Sequence, residues 1–184
     1  MEQFQWLNES KISVAGDVIR IYATGHSDYF ENKCDAPFYY TEVTGDFVLR
    51  AKVSLDFQAV FDSACIMVMK DQRTWAKACF EQTDFDTHAV VSVVTNGGSS
   101  DDANGCNIDN SEVWLQMARV GQQFGLHYSL DGTHFYMMRT FRLPVEETVK
   151  VGLLAQAPTG DGGERCFAHV TIEKRTVKNL RKGE

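Results

Sequence analysis

The feature that most limits the fold of this chain is a two-residue alternation of apolar and polar side chains along most of its length. Short runs carry the alternation, and Gly, Asp or Asn residues end them, as is typical of β-strands whose successive side chains point to opposite faces of a sheet. Apolar residues at the helical spacing of i, i+3 and i+4 are scarce. The pattern predicts an all-β chain in which two antiparallel sheets pack face to face.

The predicted strands can be placed by their turns. Residues 46–55 follow Thr44-Gly45 and put one apolar row opposite Arg50, Lys52 and Ser54. The Asp-Gly pair at 131–132 is a strong hairpin signal. Gly, Ser, Asp and Asn residues predict a loop over 96–110. The predicted strands are 12–14, 18–22, 46–55, 64–70, 75–82, 88–95, 113–120, 123–130, 135–141, 148–157 and 166–174.

Length and charge restrict the class of protein. A chain of 184 residues suits one domain, so we expect a single sandwich over residues 1–184. The net charge of −7 argues against nucleic-acid and anionic-membrane partners, because phosphate binding needs clustered Lys and Arg. The only basic cluster, residues 174–182, is explained more simply as a solvated strand end or tail. No apolar run is long enough to cross a bilayer.

The cysteines indicate a reducing compartment. Five are present, an odd number without Cys-x-x-Cys spacing, so neither a disulfide framework nor a zinc ribbon is predicted. The first residues carry neither the basic nor the apolar segment of a signal peptide. We therefore expect a cytoplasmic protein.

Two neighbouring segments carry a family resemblance. They are residues 61–68, Phe-Asp-Ser-Ala-Cys-Ile-Met-Val, and residues 75–81, Trp-Ala-Lys-Ala-Cys-Phe-Glu. With shorter pieces in the same order, they resemble the domain-of-unknown-function family numbered 1349. The resemblance implies a concanavalin A-like jelly-roll sandwich of two antiparallel sheets, and it implies no reaction. The shorter pieces are residues 27–30, 44–47, 94–96, 99–102, 113–115, 128–132, 151–152 and 155–158.

The strand over residues 75–81 is the most informative for function. Its alternation puts Trp75, Lys77 and Glu81 on one face, opposite a core-like row of Ala76, Ala78 and Phe80. An aromatic ring, a cation and a carboxylate in one row suit a sugar, because the ring can stack on C–H faces while the charged groups bind hydroxyls. The alternative is a solvated charge pair beside a Trp75 that caps the core.

Other residues could line the same hollow of the sheet. Arg50 and Trp114 lie on neighbouring predicted strands, although Trp114 is equally well explained as a core residue. Asp62 and Asp102 are carboxylates from other strands and loops. The candidate ligand-binding residues are Arg50, Asp62, Trp75, Lys77, Glu81, Asp102 and Trp114.

Catalysis and metal binding have weaker support. The strand motif Glu-x-Asp-x-x-Glu of some concanavalin A-like glycosidases is absent, because alternation puts Glu81 opposite Asp84 and Asp86. A carboxylate pair from separate strands, Glu81 with Asp62 or Asp102, remains an alternative. The oxygen-rich residues 99–110 suit calcium chemically but lack EF-hand spacing, so no cofactor is predicted and calcium is the alternative.

Three functions follow from these residues. The first is the binding of a carbohydrate or similar small polyhydroxy ligand in a polar, aromatic-lined groove. The second is a glycoside-processing enzyme with Glu81 as acid or base and Lys77 tuning its pKa. The third is a protein-interaction or self-association domain, such as a homodimer formed through exposed sheet edges.

Overall fold

The computed structural model describes residues 4–184, which form sixteen β-strands and, within that range, no helix. No helix in this range is therefore long and apolar enough to span a bilayer. The strands are β1 Gln5–Leu7, β2 Ile12–Ala15, β3 Val18–Thr24, β4 Tyr29–Phe30, β5 Lys33–Cys34, β6 Phe38–Thr44, β7 Phe47–Leu55, β8 Ser63–Asp71, β9 Thr74–Gln82, β10 His88–Asn96, β11 Ser99–Asn107, β12 Glu112–Val120, β13 Gln123–Ser129, β14 Tyr136–Arg142, β15 Thr148–Gln156 and β16 Gly162–Glu173.

The strands form two seven-stranded antiparallel sheets. The first sheet has the order β1-β6-β15-β8-β9-β10-β11, and the second has the order β14-β13-β12-β7-β16-β3-β2. A separate two-stranded hairpin, β4–β5, completes the fold. The predicted all-β, concanavalin A-like sandwich is confirmed.

The core between the sheets follows the predicted alternation. On β9, Ala76, Ala78 and Phe80 are buried against the second sheet. Phe47 and Leu49 on β7 point to the same core from the second sheet. Because these side chains alternate along each strand, one face of every central strand faces the partner sheet.

The opposite face of the first sheet, here called its outer face, is also buried over its middle. Cys65 and Met67 of β8 and Cys79 of β9 belong to a second apolar cluster there. Tyr29 of β4 and Phe38 of β6 belong to the same cluster. Burial on both faces explains why β8 is nearly continuously apolar, as the sequence predicts for a central strand.

The prediction of a loop over residues 96–110 is wrong. Most of this segment is the edge strand β11, which pairs antiparallel with β10 after a turn at Gly97 and Gly98, with a shift of register between Ala89 and Val91. Both glycines have positive φ, 65° and 90°, a conformation that costs glycine little. Backbone pairing to β10 forms this strand, and its polar side chains are exposed, so it carries no apolar row that the sequence could show.

The C-terminal segment is anchored as well as solvated. Its basic side chains are mostly exposed, as expected of a tail. However, Val177 is buried against Val48 and Ala118 on the outer side of the second sheet. The Gly183 carbonyl accepts a hydrogen bond of 3.2 Å from Gln116 Nε2. The segment therefore covers part of the second sheet.

Candidate functional site

A cavity of about 130 Å³ opens on the outer face of the first sheet. Its size is close to the ~150 Å³ cavity that holds a benzene ring, so it fits one ring-sized group. β9, β10 and β11 supply the floor, and β4, the end of β15 and the segments before β4, β8 and β16 supply the walls. The lining residues are Asp28, Phe30, Phe61, Lys77, Glu81, Val93, Asp102, Gln156 and Pro158.

Lys77 lies on the floor of the cavity and is only 2% exposed. Its Nζ donates hydrogen bonds to the Tyr29 carbonyl at 2.7 Å and to Gln156 Oε1 at 2.8 Å. Asp28 Oδ1 lies 3.6 Å from the same nitrogen. A buried ammonium needs such partners, because an unpaired charge in this position would be very costly. Protein groups therefore satisfy most of its bonding capacity.

Gln156 and Asp28 complete this polar group. Gln156 Nε2 donates to Asp28 Oδ1 at 2.5 Å, while its Oε1 accepts from Lys77. The Asp28 side chain is 18% exposed and extends to the cavity. Asp28 Oδ1 thus accepts one hydrogen bond, from Gln156, and faces the Lys77 ammonium in an ion pair, while the carboxylate remains accessible from the cavity.

Glu81, unlike Lys77, is buried without side-chain hydrogen bonds from the described residues. It lies on the same face of β9 as Lys77 and is 8% exposed, yet its carboxyl group makes no side-chain hydrogen bond to residues 4–184. Burial raises the pKa of Glu81 to about 8, and the attraction of Lys77 only partly opposes this shift. At neutral pH the group is therefore mostly a protonated carboxylic acid that can both donate and accept a hydrogen bond.

The mouth of the cavity is aromatic and acidic. Phe30 and Phe61 line it, and each is 37% exposed. Asp102 lies on the exposed edge strand β11, where its backbone pairs with Val93 and Val93 pairs in turn with Lys77. Two partly exposed rings and a solvated carboxylate therefore border an opening that leads to Glu81.

Three of the predicted ligand-binding residues, Lys77, Glu81 and Asp102, come together in this cavity. Trp75 does not line it. Its ring is fully buried beneath Tyr29, with the two ring centroids 5.8 Å apart in an edge-to-face arrangement. It offers no exposed ring face, so the stacking role predicted for it does not fit the structure. The alternation of β9 was correct, but the sequence did not show that the β4–β5 region covers this end of the row.

Asp62 also lies outside the cavity. It is buried, and its Oδ1 lies 2.9 Å from Nη2 of Arg165, which is equally buried. Its Oδ2 accepts hydrogen bonds from the backbone N–H groups of Gln58 and Ala59. Its contacts are structural, and its predicted place beside Glu81 in a ligand site does not fit the structure.

Arg50 and Trp114 are on the wrong sheet for this site. Arg50 lies on β7 of the second sheet, where its Nε donates to Gln116 Oε1 at 2.6 Å. Trp114 lies on β12 of the same sheet and stacks on His169, with centroids 5.4 Å apart. The prediction assumed that these strands adjoin β9, whereas they form the opposite layer of the sandwich.

Asp28, Phe30, Phe61 and Gln156 were not predicted as site residues. Each occurs in a segment that carries the family resemblance, within residues 27–30, 61–68 and 155–158. Their position in these segments was the signal that could have identified them. The apolar–polar alternation could not, because Asp28 and Phe61 lie just before their strands, where a period of two does not apply.

The described residues contain no group of three or more His, Cys, Asp and Glu side chains arranged to hold a metal ion. The oxygen-rich residues considered for calcium form β11, where successive side chains such as Asp101 and Asp102 point to opposite faces. They do not form the turn-rich loop on which the calcium alternative was based.

Fold and cavity together define a concanavalin A-like β-sandwich with a small polar pocket on its outer face. The model of a family described as a protein of unknown function, DUF1349, matches residues 6–175, and the chain belongs to this family. The chain is 25% identical to "Regulation of enolase protein 1" of Saccharomyces cerevisiae over 189 residues, which cover 98% of this chain and 94% of that protein.

Solved structures support the same architecture. A functionally unknown protein from Saccharomyces cerevisiae has a TM-score of 0.88 and 22% identity, covering 95% of this chain and 98% of its own. The carbohydrate-binding module CBM66 from Bacillus subtilis has a TM-score of 0.61 and 13% identity, covering 92% of this chain and 95% of its own. At these identities the likeness concerns the fold.

Proposed function

We propose that this protein binds a carbohydrate or a similar small polyhydroxy ligand in the outer-face cavity. The observation that carries the proposal is the buried Glu81 carboxyl group, which lacks a side-chain hydrogen-bond partner among residues 4–184 and faces a ring-sized space. Because Glu81 lines the cavity, its carboxyl oxygens are open to that space, and a ligand hydroxyl placed there can form the hydrogen bonds that the described side chains do not supply.

The polar groups of the cavity suit hydroxyl groups. Each sugar hydroxyl donates one hydrogen bond and can accept others. Asp28 and Asp102 offer carboxylate oxygens that accept, and protonated Glu81 can donate as well as accept. Phe30 and Phe61 provide apolar surface at the mouth for the C–H faces of a sugar ring.

The fold is compatible with this role. A carbohydrate-binding module has the same sandwich architecture over nearly its whole length. Fold alone does not determine function, so the proposal depends on the residues of the cavity.

A thermal-shift and ligand-detected NMR screen of mono- and oligosaccharides tests the proposal. Binding stabilises the native state, by about 2.7 kcal/mol at a hundred times the Kd. We expect at least one neutral sugar to stabilise the protein and Glu81→Leu, which removes both hydrogen-bonding functions, to abolish the effect. Glu42→Leu is the matched control at an exposed position of β6. No response to any sugar, or equal responses in both variants, would refute the proposal.

A glycoside-processing enzyme is the second candidate, favoured by the protonation of Glu81. A carboxyl group with a pKa of about 8 is still an acid at neutral pH and could protonate a glycosidic oxygen. Asp102 would be the second carboxylate. If the protein cleaves aryl glycosides, Glu81→Gln should lower kcat by about 10²–10⁴-fold, the usual contribution of a general acid. Unchanged turnover in this variant would exclude the assignment.

Self-association is the third candidate. The edge strand β2 exposes Ile12 and Val14, the latter at 65%, and open strand edges pair readily with another chain. Val14→Lys should weaken a homodimer formed there, which sedimentation would detect.

We further propose a cytoplasmic location, which the five free cysteines support.

A further inference from the structure

We propose that the outer-face cavity discriminates by charge, taking neutral sugars and amino sugars and rejecting sugar acids and sugar phosphates. This inference rests on the proposed function and adds the chemical class of the ligand. The charge that a ligand meets is the charge left in the cavity after the protein's own ion pairs and hydrogen bonds.

The one cation among the lining residues is already matched. Two N–H groups of Lys77 donate to Tyr29 and Gln156, and its charge faces Asp28 at 3.6 Å. An anionic ligand that drew Lys77 away would leave Asp28 without its ion-pair partner. Removal of one member of a buried pair is strongly unfavourable, so Lys77 is a poor site for an anion.

The remaining ionisable groups of the cavity are acidic. Asp102 has no cation within ion-pair distance among the residues that the structure describes. Glu81 adds a second carboxyl group, which becomes negative when it ionises. The charges of Lys77 and Asp28 offset each other. The net charge of the cavity is therefore −1, from Asp102, when Glu81 is protonated, and −2 when Glu81 is ionised.

This charge balance acts differently on different sugars. A phosphate or carboxylate group in the cavity would lie among like charges, and a juxtaposition of this kind suppresses wrong partners. An ammonium group would instead be attracted to Asp102 and Glu81. Hydroxyl groups need only the hydrogen-bond acceptors that these residues supply.

Matched sugars test the inference. Affinities would be measured by NMR titration at pH 7 for glucose, galactose and mannose, and for the 2-amino, uronic acid and 6-phosphate form of each. We expect the amino sugar to bind at least as tightly as its neutral parent, and the uronic acid and phosphate at least tenfold more weakly. Added salt screens these interactions, so it should weaken the binding of the amino sugar, strengthen that of the uronic acid and the phosphate, and leave that of the neutral sugar unchanged.

Two variants distinguish a direct charge effect from a general loss of binding. Asp102→Asn should reduce the preference for the neutral sugar over its phosphate severalfold, whereas Asp84→Asn, an exposed carboxylate outside the cavity, should leave it unchanged. If a uronic acid or phosphate binds as tightly as its neutral parent, the inference fails and the proposed function stands. If none of these compounds binds, both the inference and the proposed function fail.

Discussion

Lys77 and Glu81 share one face of β9, and both are buried beside the same cavity. Within residues 4–184, the protein supplies hydrogen bonds to the cation and none from its side chains to the carboxyl group. Burial raises the pKa of Glu81, while the Asp28 carboxylate at 3.6 Å helps to keep Lys77 charged despite its own burial. A structural charge network would satisfy both groups. The Glu81 carboxyl group, which has no side-chain partner among residues 4–184, is the observation that supports the proposed binding site.

The first prediction concerns the pH dependence of stability. Between the ordinary pKa of 4.5 and the folded-state pKa of about 8, the folded protein holds a proton at Glu81 that the unfolded chain has released. Stability is therefore lost as the pH rises through this window, at up to about 1 kcal/mol per pH unit. The neighbours that act on Glu81 are Lys77, Cys65, Asp102 and Asp28.

Urea unfolding at several pH values between 5 and 9 would measure this effect. Glu81→Gln should gain stability relative to the wild type as the pH rises, and the gain should level off above about pH 8. Glu42→Gln is the control, and its difference from the wild type should not vary in this way. A constant difference between Glu81→Gln and the wild type would show that Glu81 ionises normally in the folded protein.

The second prediction separates Asp62 from the ligand site. Asp62→Asn removes the charge that faces buried Arg165 at 2.9 Å and should lower the free energy of unfolding by about 3 kcal/mol. The exposed Asp84→Asn should change it by less than about 0.5 kcal/mol. Equal effects of the two substitutions in denaturant unfolding would contradict a structural role for Asp62.

The residues of the site were only partly predictable. Alternation correctly put Lys77 and Glu81 on the face opposite the core, because a period of two depends on the strand alone. It could not show that Tyr29 buries Trp75, or that Arg50 and Trp114 belong to the other sheet. Those facts depend on strand order and on coverage by distant segments, which local sequence does not encode.

Among the elements, the segments around β4 and before β8 contribute residues to the wall of the cavity. The chain before β4 contributes Asp28, and Phe30 ends β4. The segment before β8 contributes Phe61, whose backbone N–H donates to the Gln82 carbonyl at 2.7 Å. These segments therefore supply both the aromatic rings at the mouth of the cavity and the carboxylate that pairs with Lys77 on its floor.

The third prediction tests that mouth. Phe30→Ala and Phe61→Ala should each weaken sugar binding by about 0.5–1.5 kcal/mol, the order of one aromatic contact. The cost in stability should be small, since both side chains are partly exposed. Phe85→Ala removes a ring that is 71% exposed and outside the cavity, and it should leave affinity unchanged. Equal affinities for all three variants in the NMR titration would exclude the rings from the site.

Edge and terminal elements were the least predictable. β11 has no apolar row because it lies at the edge of the first sheet, so its sequence resembles a loop. The C-terminal segment contains many basic residues, and its anchoring depends on Val177 and on the backbone of Gly183. Backbone pairing and single buried residues leave little pattern in a sequence.

The whole molecule combines a conventional core with an outer face that is only partly closed. The apolar rows of both sheets pack together between the layers, and this part of the fold follows directly from the alternation of the strands. A second apolar cluster then forms where the β4–β5 region covers the first sheet. The cavity lies at the margin of that cover, and this position leaves the carboxyl group of Glu81 on the cavity wall.

The measurement that tests this account most directly is chemical-shift mapping of the ¹⁵N-labelled protein with the neutral sugar that gives the largest thermal shift. We predict that the perturbed backbone amides cluster around Asp28, Lys77, Asp102 and Gln156 on the outer face of the first sheet. Perturbations centred instead on Arg50 and Trp114 of the second sheet would contradict the account, because they would place the ligand on the opposite side of the sandwich.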